Sequence, residues 1–215
     1  MIGILGGTFD PVHFGHLRPA LEISGALDLE ELRLIPCRNP PHRPDPVASP
    51  AQRLAMLQLA TRRHPVFHVD QRELERDGPS YTLDTLMSLR REPGGKTFCL
   101  LVGCDAFQGL DSWHRWRELA DLCHMVVMTR PGYAPPGAGE LGEFIERHRV
   151  PDVADLEVRD AGLLLFRDVT QLEISATRIR NLLATGQDAA FLLPEEVLDF
   201  IHKEGIYQTG KTNDG

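Results

Sequence analysis

The first eighteen residues, M-I-G-I-L-G-G-T-F-D-P-V-H-F-G-H-L-R, constrain the fold more than any other stretch. Ile2–Leu5 reads as a buried strand, Gly6 and Gly7 as a tight turn, and the residues around His13 and His16 as the start of a helix. A strand that passes through glycines into a helix N-terminus builds an anion site. The first N–H groups of a helix lack intrahelical partners, and the helix dipole favours negative charge there. Glycine lets a phosphate approach the backbone with no Cβ in the way. His13 and His16, three apart, share a helical face and reach the same anion, best as imidazolium, a form that phosphate charge favours. The pattern points to chemistry on a nucleotide triphosphate.

A chain of 215 residues is long enough for one well-buried domain. Its expected bounds are 1–208, with the polar, glycine-bearing residues 209–215 as a disordered tail. A net charge of −8 argues against a general affinity for nucleic acid. No apolar run approaches membrane-span length, and the chain enters its first strand with no charged leader. Neither nucleic acid nor membrane is therefore expected as a partner. The cysteines Cys37, Cys99, Cys104 and Cys123 form no C-x-x-C pair and read as free thiols, which suits a reducing cytoplasm. A homo-oligomer is compatible with the sequence, which does not decide the matter.

Apolar runs alternate with helical patterns. Candidate strands are Ile2–Leu5, Leu32–Pro36, Phe67–Val69, Thr97–Val102, Met125–Thr129 and Leu163–Phe166. Several are apolar on consecutive residues, as strands covered on both faces are. Helices between them imply right-handed crossovers and a parallel sheet. The fold expected is α/β: a Rossmann-like, doubly wound, mainly parallel sheet flanked by helices in a single domain. Ser49, Pro50 and Gln52 spell a capping box for a helix whose apolar positions are Leu54, Leu57 and Ala60–Thr61. Further helices are expected over Thr82–Arg91, near Glu143–His148, from Ser175 to Gly186, and from Pro194 to Gly205. Residues 36–49, with five prolines, and residues 131–142 read as loops.

Other runs can carry chemistry. Pro36-Cys37-Arg38-Asn39-Pro40-Pro41-His42-Arg43 is stiffened by its prolines, either as a plain surface loop or to aim His42 and Arg43 at phosphates. Ser80-Tyr81-Thr82-Leu83-Asp84-Thr85-Leu86 opens a helix, where a hydroxyl caps or a carboxylate docks. Gly103-Cys104-Asp105 ends the central strand, and strand ends of that kind face the ligand crevice. Asp105 there can bond a ribose or lie near a magnesium ion. Arg130, at the end of the Met125–Thr129 strand, is a further polar group for the same crevice. Trp113 and Trp116, spaced i, i+3 on a helix, read first as packing. In Ile174-Ser175-Ala176-Thr177-Arg178-Ile179-Arg180, Ser175 and Thr177 mark a helix start and Arg180 can pair with a phosphate. Alone, that run reads as an N-cap and a solvated arginine.

G-G-T-F-D-P-V-H-F-G-H resembles the signature of the nucleotidylyltransferase superfamily marked by a His-x-Gly-His motif. Within it, the chain resembles the bacterial nicotinate mononucleotide adenylyltransferases, from Gly3 to about Tyr207. Pro40–Arg43, Gly103–Asp105 and Ile174–Arg180 match further elements of that family, P-P-H-K/R, G-x-D and I-S-[SA]-T-x-I-R. The resemblance implies adenylyl transfer from ATP to nicotinate mononucleotide, giving deamido-NAD and pyrophosphate by direct in-line attack. It implies His13, His16, Arg43 and Arg180 as the groups that stabilise charge. Gly6, Gly7, Thr8, Phe9, Gly15, Gly103, Asp105, Ile174, Ser175 and Thr177 are implied for ATP, with Gly15 leaving room for the nucleotide. His42, Arg43, Tyr81, Thr82, Thr85, Trp113 and His114 are implied for the nicotinate nucleotide. There the backbone near Thr85 and at His114 would hold the carboxylate and Trp113 would stack on the ring. Mg²⁺ is expected through the ATP phosphates, with no protein metal site. The rivals are a sister enzyme that takes nicotinamide mononucleotide or phosphopantetheine, a Rossmann oxidoreductase, a class I aminoacyl-tRNA synthetase fragment, and a nucleotide sensor that binds ATP without turnover. Gly3, Gly6 and Gly7 do not spell G-x-G-x-x-G, and the acidic balance opposes tRNA binding.

Overall fold

β-branched and apolar residues alternate between two burial environments along each central strand, and that alternation organises the molecule. The computed structural model describes residues 1–40 and 44–208. In order, β1 is Ile2–Gly7, α1 Phe14–Ala26, β2 Glu31–Pro36, α2 Pro50–Thr61, β3 Phe67–Val69, α3 Arg72–Glu75 and α4 Thr82–Arg90. There follow β4 Phe98–Gly103, α5 Cys104–Phe107, α6 Leu119–Leu122, β5 His124–Thr129, α7 Gly139–His148 and β6 Arg149–Val150. The chain closes with β7 Leu164–Asp168, α8 Ala176–Ala184 and α9 Glu195–Lys203. The seven strands pair in the order β3-β2-β1-β4-β5-β7-β6, every pair parallel.

Successive strand residues point to opposite faces. Cys99, Leu101, Val126 and Met128 enter one core with residues of α1, α2, α8 and α9. Leu100, Val102, Met125 and Val127 enter the other with residues of α4, α6 and α7. The doubly wound α/β sheet expected from the sequence is thus present. The order of strands reverses between β1 and β4, and in such sheets the crevice beyond the strand ends at the reversal is where ligands bind. Gly7 and Gly103 end the two strands there.

The local signals hold where they are local. The Gln52 N–H donates to Ser49 Oγ at 3.3 Å and the Ser49 N–H to Gln52 Oε1 at 2.9 Å, the two bonds of the capping box. The Arg178 N–H donates to Ser175 Oγ at 3.2 Å. Gly186 (φ +70°) and Gly205 (φ +63°) take the left-handed conformation that ends α8 and α9. Three expectations shift. The buried stripe of α2 is Arg53, Met56, Leu57 and Thr61 rather than Leu54, Leu57 and Ala60–Thr61, so a charged residue leads it. α7 begins at Gly139, inside the stretch 131–142 that reads as a loop, while β6, not expected at all, is two residues long and too short to show a period. Trp113 and Trp116 do not share a helix: Trp113 follows the 3₁₀ turn Leu110–Ser112 in extended backbone, Trp116 opens the turn Trp116–Glu118, and Arg115 at φ +51° lies between them. The tail 209–215 lies outside the described residues.

Candidate active site

β1 runs out at Gly7 in the crevice. The tight turn expected at Gly6 and Gly7 is strand instead, Gly6 pairing with Ile35 and Gly7 with Pro36, and the chain turns only after them. A Cβ on Gly6 would meet nothing within 4 Å, so the end of the strand faces open space. A Cβ on Gly7 would come within 2.9 Å of the Phe9 ring, which is buried with its backbone at φ +50°. His13 is the N-cap of α1, with extended backbone, and only 5% exposed. Its ring lies 3.8 Å from that of His16, tilted by 31°. The His13 N–H donates to His16 Nδ1 at 3.4 Å. Burial pushes His13 down from its ordinary value of 6.5 to about 4. His13 is therefore neutral at rest, so the imidazolium that phosphate charge favours would form against its burial. Gly15 is also used differently from the expectation. A Cβ there would fall 2.9 Å from His13 Nδ1 and 3.1 Å from the Ile174 carbonyl oxygen, so the space belongs to the protein's own ring and backbone.

That contact brings the far end of the chain to the first motif. Ile174 precedes α8, Ser175 caps it, and Arg180 reaches back from its second turn. Arg180 Nη1 donates to the Asp10 carbonyl at 2.7 Å and lies 3.7 Å from Asp10 Oδ2, while Nη2 donates to Thr177 Oγ1 at 3.3 Å. Arg180 is partly exposed and Arg178 points to solvent. His13, His16, Gly15, Ile174, Ser175, Thr177 and Arg180 thus form one cluster at the turn after β1.

A second cluster lies along the same crevice. Gly103 caps α5 with open space at its Cβ position, and Asp105 is exposed in the first turn of that helix. Tyr81 caps α4, and its ring stacks on His114, centroids 4.3 Å apart at 25°. Thr82 opens the helix. Thr85 is buried, and its N–H donates to the Tyr81 carbonyl at 3.2 Å as the first bond of α4. The N–H groups left without helical partners are therefore those before Thr85. Thr85 Oγ1 donates to Glu73 Oε1 at 2.6 Å and accepts from Arg76 Nη2 at 3.2 Å. Burial raises Glu73, against the hydrogen bonds from Thr85 and Ser80. Trp113 is half-buried against the second core, whereas Trp116 is buried edge-on to Phe144 and is structural.

Hydrogen bonds join the two clusters. The Cys37 N–H donates to the Gly7 carbonyl at 2.9 Å, the Arg38 N–H to Ser80 Oγ at 3.0 Å, and the Ser80 N–H to the Asn39 carbonyl at 3.0 Å. Residues 37–39 thus tie the end of β1 to the start of α4. His42 and Arg43 lie outside the described residues.

Sequence reasoning missed two buried charges behind the site. Asp10 is 4% exposed and accepts from the Val47 N–H at 2.8 Å, the Ala48 N–H at 3.0 Å and the Tyr207 hydroxyl at 2.6 Å. Arg53 is fully buried and donates to the carbonyls of Thr8 at 2.9 Å, Cys37 at 2.7 Å and Ala48 at 3.3 Å. Arg53 was findable, since it stands at i, i+3, i+4 spacing with Met56 and Leu57. Nothing in sequence pairs Asp10 with Tyr207.

Among the described residues no group of three or more His, Cys, Asp or Glu is placed to hold a metal ion. No helix among them is long and apolar enough to cross a membrane.

Residues 4–182 match the cytidylyltransferase-like family model. A probable nicotinate-nucleotide adenylyltransferase of Methylococcus capsulatus is 51% identical over 208 residues, covering 96% of this chain and 99% of that protein. One from Aeromonas hydrophila is 52% identical over 207 residues, covering 96% and 97%. Among solved structures, a Plasmodium falciparum nicotinic acid mononucleotide adenylyltransferase complexed with APC aligns with a TM-score of 0.70 at 18% identity, over 96% of each chain. The same protein complexed with NaAD aligns equally well. The solved structures bear on the fold, and the sequence relatives on the family.

Proposed function

The chain belongs to the nicotinate-nucleotide adenylyltransferases of the cytidylyltransferase-like family, and on that footing we propose how its residues divide the work of adenylyl transfer in NAD biosynthesis. ATP and nicotinate mononucleotide react to give deamido-NAD and pyrophosphate. A phosphate oxygen of the mononucleotide bonds to the α-phosphorus of ATP as the bond from that phosphorus to the bridging oxygen of the β-phosphate breaks, and pyrophosphate leaves with the electron pair. The attacking phosphate is already ionised near neutral pH, so no general base is required. No enzyme nucleophile takes part. The protein's task is positioning and charge stabilisation.

The observation that carries this reading is the meeting of two motifs from opposite ends of the chain. Ile174–Arg180 packs on the turn that holds His13, Gly15 and His16, where β1 ends beside β4. His16 and Arg180 donate to the triphosphate, Arg180 from a guanidinium already oriented by the Asp10 carbonyl. His13 meets it as a neutral N–H donor unless the bound phosphates outweigh its burial. Arg43 adds a bidentate donor and His42 a further one. Gly6, Gly7, Thr8 and Phe9 line the phosphate turn. Gly103 and Asp105 face the nucleoside, and Ser175 and Thr177 the phosphates. Tyr81, Thr82, Thr85, Trp113 and His114 take the pyridine nucleotide, the stacked Tyr81–His114 pair supporting a flat aromatic substrate.

Nucleotidyl transfer calls for a divalent metal, which neutralises triphosphate charge when bound. We place it as Mg²⁺ on the ATP phosphates rather than on protein ligands. Cys99 and Cys123, buried thiols pushed up to about 12, suit a reducing cytoplasm.

Pyrophosphate release with Mg-ATP, comparing nicotinate with nicotinamide mononucleotide at equal concentration, tests the reading. Strong preference for the acid supports it. Equal rates keep adenylyl transfer and remove the carboxylate specificity. Turnover with neither removes the acceptor assignment.

A further inference from the structure

Tyr207 closes a connection between the C-terminal segment and the phosphate turn. α9 ends in a Schellman turn: the Gly205 N–H donates to the His202 carbonyl at 3.3 Å and the Ile206 N–H to the Ile201 carbonyl at 3.0 Å. That turn sends Ile206 into the core and returns Tyr207 towards β1. Tyr207 is 8% exposed and takes φ +64°, a conformation that a residue other than glycine keeps only where its surroundings hold it. Its hydroxyl donates to Asp10 Oδ1 at 2.6 Å across 197 residues of sequence. Burial, and then the Asp10 carboxylate, raise the phenol, which stays a donor.

Asp10 is where three parts of the site join. Its carboxylate accepts from the Val47 and Ala48 N–H groups, its carbonyl accepts from Arg180, and its Oδ2 lies 3.7 Å from the same guanidinium. Arg180 thus stands between two anions, the Asp10 carboxylate and any bound triphosphate. Each donor that Asp10 gains elsewhere weakens its claim on Arg180. Tyr207 is the one side-chain hydroxyl among those donors.

We propose that Tyr207 is a positioning residue for adenylyl transfer: its hydroxyl bond to Asp10 holds the Val47–Ala48 anchor against the phosphate turn and leaves Arg180 to the triphosphate. Without that bond the carboxylate turns to Arg180 and draws the guanidinium off the transferring group. The proposal rests on the role given to Arg180 above.

The test is Tyr207→Phe in the full chain, with Ile206→Val as a comparator that loosens the same segment but keeps the hydroxyl. Steady-state pyrophosphate release, thermal melting and amide exchange are measured for each. The expected loss in kcat for Tyr207→Phe is about tenfold, as for a modest misplacement of a charge-stabilising group, with KM for ATP nearly unchanged. Exchange at the Val47 and Ala48 amides should quicken in Tyr207→Phe and not in Ile206→Val. Unchanged kcat overturns the proposal. So does a kcat loss that follows melting temperature along one line for both variants, or exchange at Val47 and Ala48 that matches wild type. If the wild type itself releases no pyrophosphate with nicotinate mononucleotide, the assigned reaction falls, and the exchange comparison still judges the Tyr207–Asp10 link.

Discussion

His13 shows how far a single site can depart from its behaviour in water. Folded, it protonates near 4; unfolded, near 6.5. The fold therefore favours its neutral form. The stabilisation is complete above about 6.5 and is lost as pH falls from there towards 4, because the unfolded chain binds the proton first. A shift of this size corresponds to at most roughly 3 kcal/mol. His124, also lowered by burial, acts in the same direction. The urea midpoint is expected to drop between about pH 7 and pH 4, and His13→Asn should make the drop shallower. A profile of equal slope in the variant would mean that another group carries the effect. For His16, replacement by Ala is expected to lower kcat about 10²–10³-fold, the usual cost of removing one charge-stabilising donor. Turnover at the wild-type rate would take His16 out of the mechanism. Both histidines were legible from their spacing after the glycine turn. The burial of His13 was not, because burial is set by the packing of segments distant in sequence.

Among the elements, α2 unites two kinds of information. Its start is local: Ser49 and Gln52 cap each other, and their identities suffice to place the helix. Its buried stripe follows helical spacing, but that the stripe can hold a charged residue is tertiary, since three carbonyls meet Arg53. Replacing Arg53 by Met leaves the carbonyls of Thr8, Cys37 and Ala48 buried without that donor. The expected loss is roughly 3–5 kcal/mol in denaturant unfolding. A midpoint equal to wild type would show that these bonds contribute nothing net. The turns around Trp113 and Trp116 make the opposite case. An i, i+3 pair of tryptophans reads as a helix face, yet Arg115 in the left-handed region breaks the chain between them. That break leaves Trp116 to the core and Trp113 at its edge.

For the molecule as a whole, the site joins β1, the loop after β2, the start of α4 and α8, so a ligand that fills it should stabilise one cooperative unit. At a hundredfold excess over Kd, a ligand that binds only the folded state adds about 2.7 kcal/mol. For a domain of this size that raises Tm by about 5–10 °C. Deamido-NAD, which on the proposed division of the site spans both clusters, is expected to give such a shift in a single calorimetric transition. Two transitions, or no shift at saturating dinucleotide, would separate the clusters.

The likeness of whole motifs pointed to the family, and the sequence by itself determined the parallel α/β class, the glycines at the end of β1 with the histidines after them, and the caps at Ser49 and Ser175. These follow from periodicity, turn chemistry and motif spacing, all of which act within a few residues or recur along the chain. Only the tertiary structure decided that Gly15 makes way for His13 and Ile174, that Tyr81 stacks on His114, and that Asp10 gathers Val47, Ala48, Arg180 and Tyr207. Each of those contacts joins segments brought together by the order of strands. The burial that neutralises His13, and the Asp10 carbonyl that orients Arg180, are in place only once the sheet has formed.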